Sequence, residues 1–360
     1  MTPALLSDQP SVDALAQRLA QAPWIALDTE FLRERTYRAQ LCLLQLATPG
    51  ETQCVDPLGG ADLAPLRAAL TAGAPKIMHA ARQDLEVLWP LFGAVAPVFD
   101  TQVAAALAGF PAQIGYSELV RQLLGVTLEK GQTRTDWSRR PLSTAQLRYA
   151  IDDVAHLAEL RDALVQKLEP LGRLAWLEEE LHDLAREDRL FVDPERAHER
   201  LRFGGELDPD RERLARLLAA WRERRASERD RPRNWILDDT ALRSMVLNPP
   251  RNAAELSAIE GLAPGFVERS GAHILRLVEE AALPERLPPP AMRSRPDPEV
   301  QARAKALSAV LQKRATELNV ASEVLATRRE LESIARGDLD VPVLKGWRRE
   351  VVGEALLAAR

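Results

Sequence analysis

The strongest constraint on the fold is a change of pattern along the chain. Up to about residue 170, short apolar segments of strand length alternate with segments of helical spacing, whereas only helical spacing occurs beyond Gly205. Alternating strands and helices indicate an α/β domain with a mixed sheet, and the later pattern indicates all-α structure. We therefore predict an α/β domain followed by helical domains.

The strand-length segments are residues 24–32, 41–47, 53–56 and 76–79. Helical spacing covers residues 61–72 and about 81–91, and residues 98–100 open a further helix. The α/β region should end in one long helix from about Ser143 to Leu168. A simple meander of the first three strands is expected.

A proline-dense stretch from Leu283 to Pro298 divides the helical region in two, and this composition is typical of a stiff linker. The chain should therefore contain two small all-α domains. The predicted boundaries are an α/β domain at 1–172, a helical connector at 173–207, a first helical domain at 208–288, a linker at 289–296 and a second helical domain at 297–360.

Composition excludes several classes of protein. The hydrophobic fraction of 46 % and charged fraction of 28 % are ordinary globular values, so neither disorder nor a membrane protein is indicated. The first residues do not have the pattern of a secretory signal peptide, and we expect a cytoplasmic protein. Cys42 and Cys54 lie in apolar segments and are predicted to be core thiols rather than a disulfide or a zinc site.

The formal net charge of −5 does not by itself indicate nucleic-acid binding, but the charged residues are unevenly distributed along the chain. Residues 211–295 contain 16 Lys and Arg against 12 Asp and Glu. Within them, the segment 221–236 has six arginines and two tryptophans. Arginines with aromatic residues suit a nucleic-acid surface, although an amphipathic helix with internal ion pairs explains the same pattern.

Carboxylates end the first long strand segment. Asp28 and Glu30 are two residues apart, so alternation places both side chains on one face of the strand, where they can share a cation. A solvated strand end would give the same tripeptide. The apolar residues that precede Asp28 favour burial, and buried carboxylates require a metal ion or a basic partner.

Two further acidic motifs follow. Asp84 falls in the first turns of a helix, where it could simply favour the helix N-terminus. Tyr149 and Asp153 are four residues apart and share one helix face, although a half-buried tyrosine beside a surface acid is the plainer interpretation. Asp152 with His156 forms a rival pair. The joint order of the three motifs is more informative than any one of them.

In that order the motifs resemble the tyrosine branch of the DEDD exonuclease superfamily, and most closely the ribonuclease D family. The resemblance covers most of residues 20–170 and is carried by Ala26-Leu-Asp-Thr-Glu-Phe31, Leu43-Leu-Gln-Leu46, His79, Asp84-Leu-Glu-Val87, Asp100-Thr-Gln102, Gly125-Val-Thr-Leu128, Arg134-Thr-Asp-Trp137 and Arg140-Pro-Leu142.

This resemblance implies a ribonuclease H-like fold for the α/β domain and a 3′-5′ exonuclease that releases nucleoside 5′-monophosphates. It implies two divalent ions, Mg²⁺ or Mn²⁺, in the active site. Asp28 would bridge both ions, Glu30 and Asp153 would hold one, and Asp84 would support the other. Tyr149 would orient the attacking water.

The helical region resembles the helicase-and-ribonuclease-D C-terminal (HRDC) domain over residues 208–288, with a diverged second copy at 297–360 that lacks the Arg-Pro-Arg-Asn-Trp-Ile signature. The resemblance implies a module that grasps structured RNA with a free 3′ end, with precursor transfer RNA as the expected substrate and no obligate protein partner. The candidate RNA-binding residues are Phe31, which could stack on the terminal base, and His79, Arg134, Arg140, Arg231, Arg233 and Trp235.

Two other functions remain open at this point. A DNA proofreading or repair exonuclease would use the same carboxylates, because the metal site can act on either sugar backbone. A noncatalytic RNA-binding scaffold would keep the fold without the activity. Occupation of all five catalytic positions favours an enzyme, and the helical region favours RNA.

Overall fold

One six-stranded sheet is the centre of the computed structural model, which describes residues 5–129, 135–203, 207–283 and 298–360. Its order is β1-β4-β3-β2-β5-β6, with parallel β1–β4, β2–β5 and β5–β6 pairs and an antiparallel β3–β4 pair. The strands are β1 (Leu5–Leu6), β2 (Ile25–Leu32), β3 (Gln40–Thr48), β4 (Glu51–Val55), β5 (Lys76–Met78) and β6 (Val98–Asp100). The predicted mixed sheet is confirmed.

The central strands are apolar because helices cover both of their faces. Ile25, Ala26 and Leu27 at the start of β2 are completely buried, and β3 is buried from Leu41 to Ala47. A strand covered on both faces has a continuous apolar sequence rather than an alternating one. Polar side chains therefore begin at the far end of β2, where Asp28 and Glu30 lie.

The helices of the α/β region connect and cover these strands. Residues 98–100, which the sequence analysis assigned to the opening of a helix, form β6, and α4 starts at the next residue. The helices are α1 (Gln9–Leu19), α2 (Arg67–Thr71), α3 (Arg82–Phe92), α4 (Thr101–Leu107), α5 (Tyr116–Leu124), α6 (Thr144–Ala155), α7 (Leu157–Leu168), α8 (Leu174–His182) and α9 (Glu187–Leu190).

The predicted single helix from Ser143 to Leu168 is wrong, because it is broken at His156 into α6 and α7. The cause is the Tyr116 hydroxyl. It donates to the backbone carbonyl of Asp152 at 2.9 Å and accepts from the backbone N–H of His156 at 3.2 Å. In a continuous helix the Asp152 carbonyl would accept a hydrogen bond from the His156 N–H. A side chain inserted between two such backbone groups interrupts the helix.

Beyond residue 205 the described chain is helical, as predicted, with 3₁₀ turns and one π-helical segment at Arg349–Gly353. Its helices are α10 (Pro209–Arg229), α11 (Arg233–Ile236), α12 (Asp239–Leu247), α13 (Ala253–Ser257), α14 (Phe266–Ala281), α15 (Pro298–Leu318), α16 (Ser322–Leu325), α17 (Arg328–Arg336), α18 (Gly346–Arg348) and α19 (Glu354–Ala358). The predicted linker at 289–296 lies outside the described residues.

The chain divides into two compact units. The first consists of Met1–Leu32, Leu41–Leu190 and Pro296–Arg360, and the second consists of Arg33–Gln40 and Phe191–Arg295. The last helices therefore pack as part of the first unit, whereas the sequence pattern predicts 297–360 as a domain of its own. The predicted domain boundaries stay predictions, because a shared core does not decide where a module begins or ends.

A common apolar core explains why the C-terminal helices belong to the first unit. Leu160 and Leu164 of α7 lie in one buried cluster with Leu307 of α15 and Ile334 of α17. The buried guanidinium of Arg173 adds polar bonds, since it donates to the carbonyl oxygens of Leu107 and Leu318. The described helices include none that is long and apolar enough to span a membrane.

Candidate active site

Strand β2 presents two carboxylates where its buried part ends. Asp28 and Glu30 are half-buried, and oxygen atoms of these two residues and of Asp153 lie within 4.8 Å of one another. Alternation along the strand points Thr29, between the two acids, to the opposite face. The predicted pair therefore lies on one face of β2, and Asp153 of helix α6 completes the cluster.

Helix α3 brings Asp84 against the same strand. The Asp84 side chain is buried, and its Oδ1 accepts a 2.5 Å hydrogen bond from the Thr29 hydroxyl. Asp84 lies in the first turn of α3, where the positive end of the helix dipole favours a negative charge. The charges of Asp28 and Asp84 are close enough for Asp84 to raise the pKa of Asp28.

The turn into α3 has an unusual backbone that Asp100 holds. Ala80 has φ +55°, a left-handed conformation that costs about 1–2 kcal/mol for a residue with a Cβ. The Asp100 carboxylate accepts from the backbone N–H groups of Ala80 at 3.1 Å and Ala81 at 2.8 Å. It also caps α4 by accepting from Gln102 N at 2.8 Å. Asp100 thereby fixes the start of the helix that carries Asp84.

Helix α6 supplies the last two predicted residues. It begins with a capping box in which Ser143 and Gln146 bond reciprocally, a feature that fixes the helix start. Tyr149 and Asp153 lie one turn apart, and the Tyr149 hydroxyl donates a hydrogen bond to the Asp153 carboxylate. The Trp137 ring packs on the other side of Tyr149, with 6.1 Å between ring centroids.

Burial and mutual repulsion make this site costly without a cation. Burial, the charges of Asp84 and Asp153 and that of Glu30 raise the pKa of Asp28 well above its usual range. Burial and the same two neighbours raise the pKa of Glu30 to about 8. Burial likewise raises the pKa of Asp84 and of Asp153 to about 7. Each of these carboxylates would be stabilised as an anion by a bound cation.

The donor set matches a hard divalent ion. Asp28, Glu30 and Asp153 offer only carboxylate oxygens, which are the ligands preferred by Mg²⁺ and Mn²⁺. The charged neighbours that raise the pKa values of Asp28, Glu30 and Asp153 are all acids. The residues present therefore fit the divalent metal that the family resemblance implies.

The candidate RNA-binding residues of the first unit have different surroundings. Phe31 is half-buried, and strand alternation directs its side chain away from the face of Asp28 and Glu30. His79 uses both ring nitrogens within the protein, at 2.9 Å from Thr101 Oγ1 and 2.9 Å from the Ile114 carbonyl oxygen. Arg134 lies outside the described residues. The RNA contacts predicted for Phe31, His79 and Arg134 stay predictions.

Arg140 has a structural role in this arrangement. Its guanidinium forms a two-pronged ion pair with the buried Asp56, at 2.6 and 2.5 Å. Its remaining N–H groups donate to the carbonyl oxygens of Cys42, Trp137 and Arg139. All five guanidinium N–H groups are thus used, so none is left for an RNA phosphate. Arg140 is therefore not part of the proposed RNA-binding surface.

The candidate RNA-binding residues of the second unit lie around α11. Trp235 is 55 % exposed, and the Arg231 guanidinium carbon lies 5.9 Å from the centre of its ring. The Arg233 guanidinium lies 5.9 Å from the centre of the Tyr37 ring and 3.6 Å from the buried Glu223 carboxylate. An exposed indole with neighbouring arginines suits stacking on unpaired bases.

Sequence reasoning missed three residues that position the site: Thr29, Asp100 and Tyr116. Each acts through a hydrogen bond to a residue distant in the sequence, so neither spacing nor periodicity could identify it. For Thr29 and Asp100 a signal existed, because both stand inside motifs that carry the family resemblance, although neither had an assigned role. No pattern pointed to Tyr116.

Two domain families match this chain. A family model described as 3′-5′ exonuclease matches residues 3–169, and the HRDC domain model matches residues 211–278. Ribonuclease D of Gluconacetobacter diazotrophicus is 40 % identical over 99 % of this chain and 93 % of its own length. Ribonuclease D of Zymomonas mobilis is 38 % identical over 98 % of this chain and 93 % of its own length.

A solved structure extends the similarity to the whole fold. The crystal structure of Escherichia coli RNase D, described as an exoribonuclease involved in structured RNA processing, has a TM-score of 0.88 and 32 % identity, covering 100 % of this chain and 98 % of that one. This identity extends over nearly the full length of both proteins, and the site of this chain contains all the expected acids. The chain therefore belongs to the ribonuclease D family and is a 3′-5′ exoribonuclease.

Proposed function

We propose that this exoribonuclease trims the 3′ ends of structured RNA by a two-metal mechanism and releases nucleoside 5′-monophosphates. The observation that carries the proposal is the convergence of oxygen atoms from Asp28, Glu30 and Asp153 within 4.8 Å of one another, with Asp84 held to the same strand by Thr29. Three clustered carboxylates, with Asp84 close enough to raise the pKa of Asp28, suit a pair of divalent ions, Mg²⁺ or Mn²⁺.

Each side chain has a distinct part in this proposal. Asp28 would serve both ions, Glu30 and Asp153 would hold the ion on the side of the nucleophile, and Asp84 would support the ion on the side of the leaving group. When bound, such ions generate a nucleophile at neutral pH and stabilise the charge on the transferring phosphoryl group.

Tyr149 positions the attacking water rather than removing its proton. Burial and the neighbouring carboxylates raise the pKa of Tyr149 above its ordinary value, so its hydroxyl stays protonated at neutral pH. A protonated phenol can donate one hydrogen bond and accept another. The bond to Asp153 fixes its direction, and its lone pairs can accept from the water.

In this proposal the second unit binds the RNA upstream of its 3′ end. Trp235 offers an exposed stacking surface, Arg231 lies over its ring, and Arg233 is a further arginine, in the same short helix as Trp235. The E. coli relative is described as acting in structured RNA processing, which supports a structured substrate with a single-stranded 3′ tail. Precursor transfer RNA is the proposed physiological substrate, and a cytoplasmic location is part of the same proposal.

The test uses an RNA hairpin with a 3′ overhang and its DNA counterpart. Each is incubated with purified protein in Mg²⁺, Mn²⁺ or EDTA, beside an Asp28→Ala variant and an Asp13→Asn variant as a control at an exposed acid. We expect RNA shortening in either metal, no shortening in EDTA or with Asp28→Ala, and normal activity with Asp13→Asn.

Two other outcomes would each support a rival function. Faster cleavage of the DNA would indicate a DNA exonuclease. RNA binding without metal-dependent shortening would indicate a noncatalytic scaffold. Either result would contradict the proposal.

A further inference from the structure

The loop between β2 and β3 is built into the second unit. Arg33–Gln40 connects two strands of the sheet, yet its contacts group it with residues 191–295. The Tyr37 hydroxyl donates a 2.5 Å hydrogen bond to Glu223, a carboxylate that is only 2 % exposed. A buried carboxylate is costly unless it is hydrogen-bonded, so this bond favours one position of Tyr37 strongly.

Asp230 fixes the backbone of the same loop. Its Oδ1 accepts from the backbone N–H groups of Tyr37 at 3.1 Å and of Arg38 at 3.0 Å. Asp230 is itself the residue that ends α10, in the left-handed conformation, φ +45°. Together with Glu223 it holds the loop at three points, through one side chain and two backbone groups. We call this arrangement the loop clamp.

The clamped loop forms one wall of a cleft of 380 Å³ in the second unit. Four arginines and two acids are among the residues that line it, so its walls are more basic than acidic. Arg222 is paired with Asp239 at 2.6 Å and stiffens the wall. Arg200 is exposed at the end of a 3₁₀ helix and has no hydrogen-bond or ion-pair partner among the described residues.

The short sequence distance between the cleft and the catalytic residues indicates that the ligand of the cleft is RNA. Arg33 follows the catalytic residue Glu30 by three residues, and three residues span at most about 11 Å. Arg33 is therefore close enough to Glu30 for both residues to contact one RNA strand. Grooves that hold single strands commonly place basic side chains along the sugar-phosphate backbone.

We propose that this cleft binds backbone phosphates of the RNA strand a few nucleotides upstream of the scissile bond. Arg33 and Arg200 are the phosphate ligands, and the loop clamp of Tyr37, Glu223 and Asp230 holds the wall that carries Arg33. The inference rests on the proposed function, because the ligand is the RNA that the enzyme shortens. It adds a binding site beside the exposed Trp235, since Arg233 and Asn234 of the same helix line the cleft.

Salt dependence of binding tests the proposal. Affinity for a fluorescent 12-nucleotide single-stranded RNA is measured in EDTA, which prevents cleavage, over a series of salt concentrations. Each lost phosphate contact lowers the slope of log affinity against log salt by about 0.7 for a single strand. We expect this decrease for Arg33→Gln and for Arg200→Gln, with a several-fold weaker affinity at low salt.

The matched control is Arg251→Gln. Arg251 is an exposed arginine of the same unit that lies outside the cleft, and its loss removes the same charge. It should leave the slope unchanged. If both cleft variants keep the wild-type slope and affinity, or if Arg251→Gln changes them equally, the proposal is overturned.

The length of the RNA provides a second test of the cleft. The affinities of the wild type and of the cleft variants are compared for RNAs of 2 to 12 nucleotides. The variants should bind more weakly than the wild type only when the RNA is long enough to reach the cleft. An equal loss of affinity at every length would overturn the proposal. Failure of the proposed function is recognised separately, as a wild-type protein that binds RNA but does not shorten it in Mg²⁺.

Discussion

The Thr29 hydroxyl donates a 2.5 Å hydrogen bond to Asp84 Oδ1, which ties the middle residue of the Asp-x-Glu motif on β2 to the acid of helix α3. Both side chains are buried, at 5 % and 7 % exposure. The bond fixes the direction of one carboxylate lone pair and leaves the others for a metal. A residue between two catalytic acids thus orients a third.

Replacement of Thr29 should therefore reduce activity more than stability. Thr29→Val keeps the shape of the side chain and removes the hydroxyl, so Asp84 loses its partner and becomes free to rotate. We expect kcat to fall about 10-fold or more, as for removal of a group that supports a metal ligand. Thr29→Ser should keep most of the activity. Equal kcat for Thr29→Val and the wild type would contradict this role.

Stability without metal should decrease with increasing pH. Burial and neighbouring charges raise the pKa of Glu30 to about 8 in the folded protein, whereas an unfolded glutamate titrates near pH 4.3. Between these values the folded state holds a proton that the unfolded state has released. The contribution of Glu30 to the free energy of unfolding is therefore lost as pH rises through this window.

We expect Glu30→Gln to raise the melting temperature in EDTA at pH 8 by a few degrees and to have little effect at pH 5, while activity is abolished. Differential scanning calorimetry of the two proteins at both pH values measures this. Glu178→Gln, at an exposed acid, serves as the control. A melting temperature that is unchanged or lowered at pH 8 would show that the carboxylates do not repel one another.

Asp100 should be needed to form the start of α3. Its carboxylate accepts from Ala80, Ala81 and Gln102, and Asp100→Ala leaves these N–H groups without their acceptor. We expect a loss of about 1–3 kcal/mol in the free energy of unfolding and a lower kcat, because Asp84 follows in the first turn. Urea denaturation and steady-state kinetics test the two parts.

Ala80→Gly provides the comparison for this prediction. Ala80 has φ +55°, which glycine adopts without steric cost. The variant should retain activity and should not be destabilised. A strong loss of activity with Ala80→Gly would show that the turn depends on the Ala80 side chain rather than on Asp100.

Glu180 should stabilise the packing of the C-terminal helices within the first unit. It accepts from the Trp347 indole N–H at 2.8 Å and from the Arg348 guanidinium at 3.0 Å. The Trp347 ring is stacked on Trp176, with 4.5 Å between centroids. We expect Glu180→Ala to lower the free energy of unfolding by about 1–3 kcal/mol, since two donors lose their acceptor.

Exposed Glu178 on the same helix is the matched control, and Glu178→Ala should leave the free energy of unfolding within about 0.5 kcal/mol of the wild type. If the two variants have the same stability, the contacts of Glu180 do not hold these helices.

The sequence predicted the mixed sheet well because its signals are local. Continuous apolar segments of strand length give β2 and β3, and the Asp-x-Glu spacing on β2 directly gives two side chains on one face. Likewise, the i, i+4 spacing of Tyr149 and Asp153 gives a hydrogen-bonded pair on α6. Where one element determines the geometry, the pattern suffices.

Features that depend on contacts between distant residues could not be predicted in this way. The break at His156 requires the hydroxyl of Tyr116, forty positions earlier, and no periodicity records that insertion. The grouping of 298–360 with the first unit depends on complementary apolar faces. The hydrogen bonds of all five N–H groups of Arg140 could not be predicted from the sequence either.

The most direct test of the central claim identifies the first product of the reaction. A structured RNA labelled at its 3′-terminal nucleotide is incubated with protein and Mg²⁺, and the released label is identified by mass spectrometry over time. We predict that the label appears from the earliest time points as a nucleoside 5′-monophosphate, with no release by Asp153→Asn. Label that appears first in oligonucleotides, or as a 3′-phosphorylated product, would contradict the proposed metal-dependent 3′-5′ exonuclease mechanism.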